Sequence, residues 1–237
     1  MSRKNTGDNI EATNAGWDFA LAAENFDGHV KKSIPLYELG HEYVAELASF
    51  YLRDNAIVYE IGCSTGVMSE KILLHNADKK YSYIAIDNTP AMVEKAKSRL
   101  KKDKRAKIIL SDVVGYSYEP CCLFLSYYTI QFTNPAVRQE LVNKIYNSLE
   151  WGGAAIIFEK VRGADARFQD ILTQLYIDYK LKQGFDESEI IHKSRSLKGV
   201  LEPFSTAGNM DLFKRAGFVD VMTIFRYLCF EGYLCIK

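Results

Sequence analysis

The feature that most constrains this chain is residues 58–66, where an apolar strand runs into a turn of small residues and an amphipathic run to residue 76 follows. A strand, a glycine turn and a helix in this order let the main chain approach a ligand and point free N–H groups at it. A second apolar run, 81–86, ends in Asp87, 21 positions past Gly66. An acidic side chain there can accept hydrogen bonds from both hydroxyls of a ribose. The two segments together predict a nucleoside-binding site.

The spacing of the glycines indicates which kind of nucleoside ligand the turn would bind. A dinucleotide fingerprint has the form G-x-G-x-x-G, whereas three residues separate Gly62 from Gly66 here, which disfavours pyrophosphate. The form E-x-G-x-x-x-G, followed by an acid after the second strand, resembles motif I of the class I S-adenosylmethionine-dependent methyltransferases. In that family the turn passes the amino-acid part of the cofactor and the acid holds the ribose. An ordinary βα loop is the alternative for the turn taken alone.

The composition of the chain limits the kinds of partner that we expect the protein to bind. Apolar residues make up 48% of the 237 residues, and 30 Lys and Arg balance 30 Asp and Glu. A chain without net charge carries no global footprint for nucleic acid, so we expect no direct nucleic-acid partner. No apolar stretch is long enough for a bilayer, and the polar start lacks the apolar centre of a signal peptide. We therefore expect a cytoplasmic protein without a membrane partner.

The cysteines favour the same compartment. They are five in number, without C-x-x-C spacing or clustered histidines, and most lie in apolar strands. This pattern predicts buried, reduced thiols with neither disulfides nor a metal site. Cys63 lies in the glycine turn, where its small size accounts for it.

The segments before the glycine turn predict an arm and a lid. The polar residues 1–16 are expected to be disordered, and one domain is expected over 17–237. Aromatic and apolar residues recur at helical spacing over 17–40, before a helix at 41–52, and indicate a lid across the cofactor. A turn at Pro35 would aim the Tyr37 phenol at the site. The alternative is a helix that only packs on the edge of the sheet.

Downstream, strands and helices alternate, which predicts an α/β fold: a Rossmann-like parallel sheet with right-handed crossovers. Helix 135–149 is expected to end at Gly152 and Gly153, before a strand at 154–158. Two helical stretches in an insertion at 163–205 predict a substrate cap. The last two strands are expected as an antiparallel hairpin at the sheet edge, an ending typical of class I methyltransferases. The predicted segments are strands 108–110, 121–126, 154–158, 219–226 and 227–236, and helices 89–100, 135–149, 165–183, 186–197 and 209–216.

Side chains at the strand ends complete the predicted site. Asp112 follows the third strand, where its carboxylate can accept a hydrogen bond from the adenine amino group. Tyr127 and Tyr128 follow the fourth strand and should face the reacting groups, because ligands of open α/β sheets lie outside the carboxyl ends of the strands. With Tyr37 they offer aromatic faces to a sulfonium cation.

Several local blocks resemble one family more narrowly, the carboxy-S-adenosylmethionine synthases. The blocks are Phe26, Ser33-Ile-Pro-x-Tyr37, Tyr59-x-Ile-Gly62-Cys63-Ser64-x-Gly66, Ile84-Ala-Ile-Asp87-Asn88-x-Pro90-Ala91-Met92, Thr129-x-Gln131-Phe132, Lys144-Ile-Tyr146, Gly152-Gly153-Ala154 and Glu159-Lys160. That family makes carboxy-S-adenosylmethionine from S-adenosylmethionine and prephenate for wobble-uridine modification of tRNA. The resemblance implies a homodimer and a set of cofactor contacts. These contacts are Tyr37, Gly62, Cys63, Ser64, Asp87, Asn88, Asp112 and Val113. Gly66 of the turn and Tyr127 after the fourth strand are further candidate cofactor contacts.

Two departures leave the reaction open. The family has an asparagine where this chain has Tyr127, and it has the carboxylate-binding arginine where this chain has Ser194. Arg195 or Arg226 would have to replace that arginine, and the alternative is that both are surface residues. We therefore rank methyl transfer to a small molecule first, with Tyr37, Tyr127, Tyr128 and Arg195 as candidate catalytic residues. Carboxy-S-adenosylmethionine synthesis is the second hypothesis, and a non-catalytic nucleoside-binding module is the third.

Overall fold

The strands of this computed structural model, which describes residues 2–237, form a small ladder and one large sheet. The ladder pairs β1 (Lys4–Asn5) with β2 (Glu11–Ala12) in antiparallel fashion. The strands of the large sheet are β3 (Ile57–Ile61), β4 (Ser82–Asp87), β5 (Ala106–Leu110), β6 (Cys121–Tyr127), β7 (Leu149–Lys160), β8 (Asp220–Tyr227) and β9 (Phe230–Ile236).

The large sheet has seven strands in the order β5-β4-β3-β6-β7-β9-β8. The first five in this order are parallel to one another, and β9 is antiparallel to both β7 and β8. This confirms the predicted α/β sheet with an antiparallel hairpin at its edge.

Helices cover both faces of the sheet. They are α1 (Phe19–Ala22), α2 (Phe26–Ser33), α3 (Tyr37–Ala48), α4 (Val67–His75), α5 (Pro90–Leu100), α6 (Arg138–Ser148), α7 (Ala166–Lys182), α8 (Glu187–Ser196) and α9 (Thr206–Ala216). One apolar core joins α3, α4 and α5 to the sheet, and a second joins α6 and α9 to its other face. In the middle of β6, successive residues alternate between them: Leu123 and Leu125 belong to the first core and Phe124 to the second.

Strand β7 begins earlier than predicted. Helix α6 ends at Ser148 without a glycine cap, and the strand already runs from Leu149 through the two glycines that were expected to end the helix. The chain terminus explains the extension, because the Gly152 N–H donates to the Lys237 carbonyl and the Lys237 N–H donates to that of Gly153. The expected start at residue 154 is therefore corrected.

The amino-terminal arm differs from the disordered segment that the sequence predicts. Ile10 and Ala12 are buried in a small apolar cluster with Trp17 and Ala22. The Ala15 N–H donates to the Arg195 carbonyl at the end of α8. Burial of these apolar side chains, which a polar composition hides, fixes the arm on the insertion. Met1 lies outside the described residues.

Residues 17–40 form α1, α2 and the start of α3, and this segment lies across the glycine turn. Helix α3 begins at Tyr37, four residues earlier than expected, directly after Leu36 in the left-handed conformation (φ 56°). Asp27 of α2 fastens this segment to the turn, because it accepts hydrogen bonds from Thr65 Oγ1 at 2.5 Å and from Arg99 Nη2 at 2.8 Å. Both insertion helices lie close to their predicted bounds, each with an aspartate cap, Asp165 or Asp186.

All five cysteines are buried and free. Across residues 2–237, every helix falls short of the length and apolar character that crossing a membrane requires.

Candidate active site

A continuous cavity of about 960 Å³ lies at the carboxyl ends of β3, β4, β6 and β7. Its lining includes the glycine turn and Asp87 on one side and side chains of α7 and α8 on the other. The second half of the cavity therefore lies beneath the insertion. Cavities of this size, with apolar walls and a few convergent polar groups, are typical of small-molecule sites.

Asp87 and the glycine turn form one hydrogen-bonded unit. The Asp87 carboxylate accepts hydrogen bonds from the Ser64 N–H at 2.9 Å and from the Thr89 N–H at 2.9 Å. It is 9% exposed, and burial raises its pKa, which the N–H bonds oppose. A carboxylate has about four lone-pair sites, so Asp87 retains acceptor capacity toward the cavity.

The two glycines of the turn have different neighbours. Gly62 lines the cavity, but its backbone is left-handed (φ 69°), and a Cβ there would lie 2.2 Å from Thr129 Oγ1. Packing on Thr129 therefore requires this glycine, whether or not a ligand is bound. Gly66 caps α4, and its nearest neighbour is Ala96 of α5. Gly66 does not line the cavity, and its expected role as a cofactor contact stays a prediction.

Most of the other predicted contacts line the cavity. Cys63, Ser64, Asn88, Asp112 and Val113 all do so. Asp112 Oδ1 also closes its own turn by accepting from the N–H groups two and three residues later, at 2.8 and 3.0 Å. Burial raises the pKa of the Cys63 thiol well above its ordinary value, so this side chain stays a thiol and is a poor nucleophile.

The three predicted tyrosines meet at the cavity wall with His41. The Tyr127 hydroxyl donates to the Tyr37 carbonyl at 3.0 Å, which ties the end of β6 to the first turn of α3. The His41 ring lies 4.4 Å from the Tyr37 ring and 4.5 Å from the Tyr127 ring, between centroids. Burial raises the pKa of all three phenols, Tyr128 included, so each hydroxyl stays protonated. The bond from Tyr127 indicates a role in positioning α3.

Glu60, the acidic residue of the E-x-G-x-x-x-G motif, lines the cavity and was not among the predicted site residues. It is 2% exposed and accepts hydrogen bonds from Ser69 Oγ and, at 2.7 Å, from the Tyr83 hydroxyl. Burial raises its pKa to about 7, against the effect of these two bonds. Its acidic side chain within the motif was the sequence signal that could have identified it as a cavity residue.

Three lysines of the cavity were not predicted: Lys160 at the end of β7, Lys180 on α7 and Lys193 on α8. Lys160 Nζ and Lys180 Nζ lie 4.3 and 4.6 Å from the centroid of the Tyr176 ring, and Lys193 Nζ lies over the Trp17 ring. Among residues 2–237, no carboxylate forms a salt bridge with any of the three. Within the sequence they are isolated residues, and only the fold brings them to one cavity.

The two candidate arginines are separated. Arg195 lines the cavity beside Ser194, with much of its surface exposed. Arg226 Nε pairs with Glu231 at 3.2 Å on the terminal hairpin and does not line the cavity. The hypothesis that Arg226 binds a carboxylate in the site is therefore corrected.

Comparison with known proteins agrees with this geometry. Residues 58–153 match the model of a family described as methyltransferase domain. The chain is 36% identical over 226 residues to a carboxy-S-adenosyl-L-methionine synthase of Staphylococcus epidermidis, covering 93% of this chain and 97% of that protein. It is 34% identical over 216 residues to the synthase of Campylobacter jejuni, covering 91% of each.

Solved structures share the fold at low identity. Human N-acetylserotonin methyltransferase superposes with a TM-score of 0.62 at 14% identity, over 92% of this chain and 55% of that one. The CurJ carbon methyltransferase superposes with a TM-score of 0.64 at 14% identity, over 92% and 58%.

The strand order, the turn after β3 and the acid after β4 define a class I S-adenosylmethionine-dependent methyltransferase fold, and the chain is an enzyme of the corresponding transferase class. Its relatives narrow the class further. The chain belongs to the carboxy-S-adenosyl-L-methionine synthase family.

Proposed function

We propose that this enzyme makes carboxy-S-adenosylmethionine from S-adenosylmethionine and prephenate. The observation that carries the proposal is the continuity of the cavity, which runs from Asp87 and the glycine turn to the space beneath α7 and α8. One cavity therefore has room for a nucleoside substrate and a second small molecule side by side. Family membership along nearly the whole chain, insertion included, supports the same reaction.

The residues present fit S-adenosylmethionine. Asp87 would offer carboxylate oxygens to the ribose, and Asp112, which lines the same cavity, would accept a hydrogen bond from the adenine amino group. The sulfonium supplies an activated methyl group, so the protein has to align the second substrate and exclude water. Tyr37, Tyr127 and Tyr128 present aromatic surface that suits a sulfonium cation, and their protonated hydroxyls leave the site without phenolate charge.

The overall reaction balances without an added oxidant or reductant. Prephenate loses its ring carboxyl group and its ring hydroxyl, and the ring becomes aromatic. The methyl carbon of S-adenosylmethionine exchanges one C–H bond for a C–C bond to that carboxyl group. The released proton and hydroxide make water.

Methyl transfer to a small acceptor is the second candidate. It is favoured by Ser194, which lines the cavity at the place of the family arginine and offers no positive charge. Tyr127 also replaces the family asparagine, and its hydroxyl is already engaged by the Tyr37 carbonyl. A methyltransferase and a synthase need to share only the half of the cavity that binds the nucleoside.

Mass spectrometry of the purified protein and of its reaction products tests the proposal. We expect a carboxylated nucleoside to co-purify, and we expect carboxy-S-adenosylmethionine to accumulate when S-adenosylmethionine and prephenate are both supplied. Omission of prephenate is the control. Formation of S-adenosylhomocysteine with an added acceptor, without consumption of prephenate, would establish methyl transfer instead.

A further inference from the structure

The three cavity lysines have no carboxylate partner among residues 2–237, so the protein leaves their charge unbalanced whenever they are protonated. Lys180 is 8% exposed, and the others are partly exposed at the cavity. Ammonium groups removed from bulk water are costly unless an anion accompanies them. No salt bridge from residues 2–237 reaches them, so the expected counter-ion is a ligand.

The surroundings of each lysine increase this imbalance. Each of them is repelled by at least one other cation. Lys160 is repelled by Arg162 and Lys198, Lys180 by Lys160, and Lys193 by Lys180. The remaining neighbour is the Cys229 thiol, whose pKa is raised by burial, so it stays neutral. Burial first, and then this repulsion, lower the pKa of Lys180 to about 8 and that of Lys193 well below its ordinary value.

The three lysines also surround a defined space. They come from β7, α7 and α8, and they line the same cavity as Ser194. The Tyr176 ring lies beside two of the ammonium groups, and the Trp17 ring lies beneath the third. These cation–π contacts attract the ammonium groups, but a neutral ring supplies no counter-charge.

We infer that Lys160, Lys180 and Lys193 bind the carboxylates of a small dicarboxylic acid, and that they replace the charge that Ser194 lacks. The inference rests on the proposed function, because it assigns the second-substrate half of the same cavity. It makes these lysines the residues that determine specificity for a dianion.

Calorimetric titration of prephenate into the protein saturated with S-adenosylhomocysteine tests the inference. Replacing each lysine by methionine (K160M, K180M, K193M) removes one charge-assisted contact, so we expect prephenate binding to weaken by about ten-fold to a hundred-fold per variant. Affinity for S-adenosylhomocysteine should not change. The matched control is Lys182→Met, which removes an exposed lysine of the same helix that does not line the cavity.

Two further measurements separate binding from a structural role. The melting temperature of each methionine variant should equal or exceed that of the wild type, because an uncompensated charge is removed. Lys180→Arg should recover part of the lost affinity. At about pH 9, prephenate binding should be accompanied by proton uptake in the wild type and by less uptake in K180M. Calorimetry in buffers that differ in ionisation enthalpy measures this uptake.

The inference is overturned if the wild type does not bind prephenate, or if all three variants bind it within about two-fold of the wild type. It is equally overturned if binding falls only together with melting temperature. Binding that depends on the lysines, without formation of a carboxylated product, would sink the proposed synthase reaction and leave this inference standing. Product formation with unchanged prephenate KM in the variants would do the reverse.

Discussion

At the scale of single residues, the sequence located some residues of the site but did not show what each of them contacts. Asp87 was identified from its position after an apolar strand, and the structure places it against the glycine turn with bonds from Ser64 and Thr89. Gly66 was assigned to the ligand from the same motif, yet it serves the contact between α4 and α5. A motif records which residue types recur, and it does not distinguish a glycine that meets a ligand from one that meets a helix.

Replacing Asp87 by alanine tests the nucleoside half of the cavity. Loss of the carboxylate removes charge-assisted bonds to the ribose, so we expect affinity for S-adenosylmethionine to fall by about ten-fold or more. Two backbone N–H groups also lose their acceptor, so a small decrease in stability should accompany it. Isothermal titration and denaturant unfolding measure the two effects. The control is the exposed Asp78→Ala, and unchanged affinity in Asp87→Ala would refute the assignment.

At the scale of elements, sequence periodicity located most strands and helices, and long-range contacts decided the exceptions. Strand β7 is lengthened by pairing with the far terminus through Gly152 and Gly153. The arm that carries β1 and β2 is held by α8, which lies far from it in the sequence. The lysines at the ends of β7, α7 and α8 converge for the same reason. Local patterns cannot report such partners, because they describe only neighbours along the chain.

Two helices that cover the site each bury a histidine, and this predicts acid sensitivity. Burial lowers the pKa of His29 on α2 to about 4 and that of His41 on α3 to about 3, from the ordinary value of 6.5. Between those values and 6.5 the folded state binds fewer protons than the unfolded state, so stability rises with pH. The contribution is therefore fully present above pH 6.5 and is lost progressively as the pH falls.

Denaturant unfolding at a series of pH values measures this effect. Each unit of pKa difference corresponds to about 1.4 kcal/mol, so the free energy of unfolding should fall steeply below pH 6.5. His41→Phe should flatten the curve, since it removes one of the two buried imidazoles. The exposed His75→Gln should leave the slope unchanged. An equal slope in wild type and His41→Phe would contradict the argument.

At the scale of the whole molecule, the enzyme joins a common nucleoside-binding sheet to an insertion that closes the other half of the cavity. The fold is shared with methyltransferases of low identity, and the cavity lysines Lys180 and Lys193 lie on the insertion helices α7 and α8. The difference in reaction within this fold is therefore expected to lie in the insertion. The homodimer that the family resemblance implies stays a prediction.

This division predicts an order of protection from amide hydrogen exchange. S-adenosylhomocysteine alone should protect the glycine turn 62–66 and the start of α4, because its predicted contacts lie there. Prephenate added afterwards should protect α7 and α8 (166–196), whose side chains face the second half of the cavity. Local opening that exposes these amides is suppressed when a ligand binds only the closed form. Exchange followed by mass spectrometry resolves the two segments. Full protection of the insertion by S-adenosylhomocysteine alone would show that one ligand fills both halves, and the cavity would then have no separate place for a second substrate.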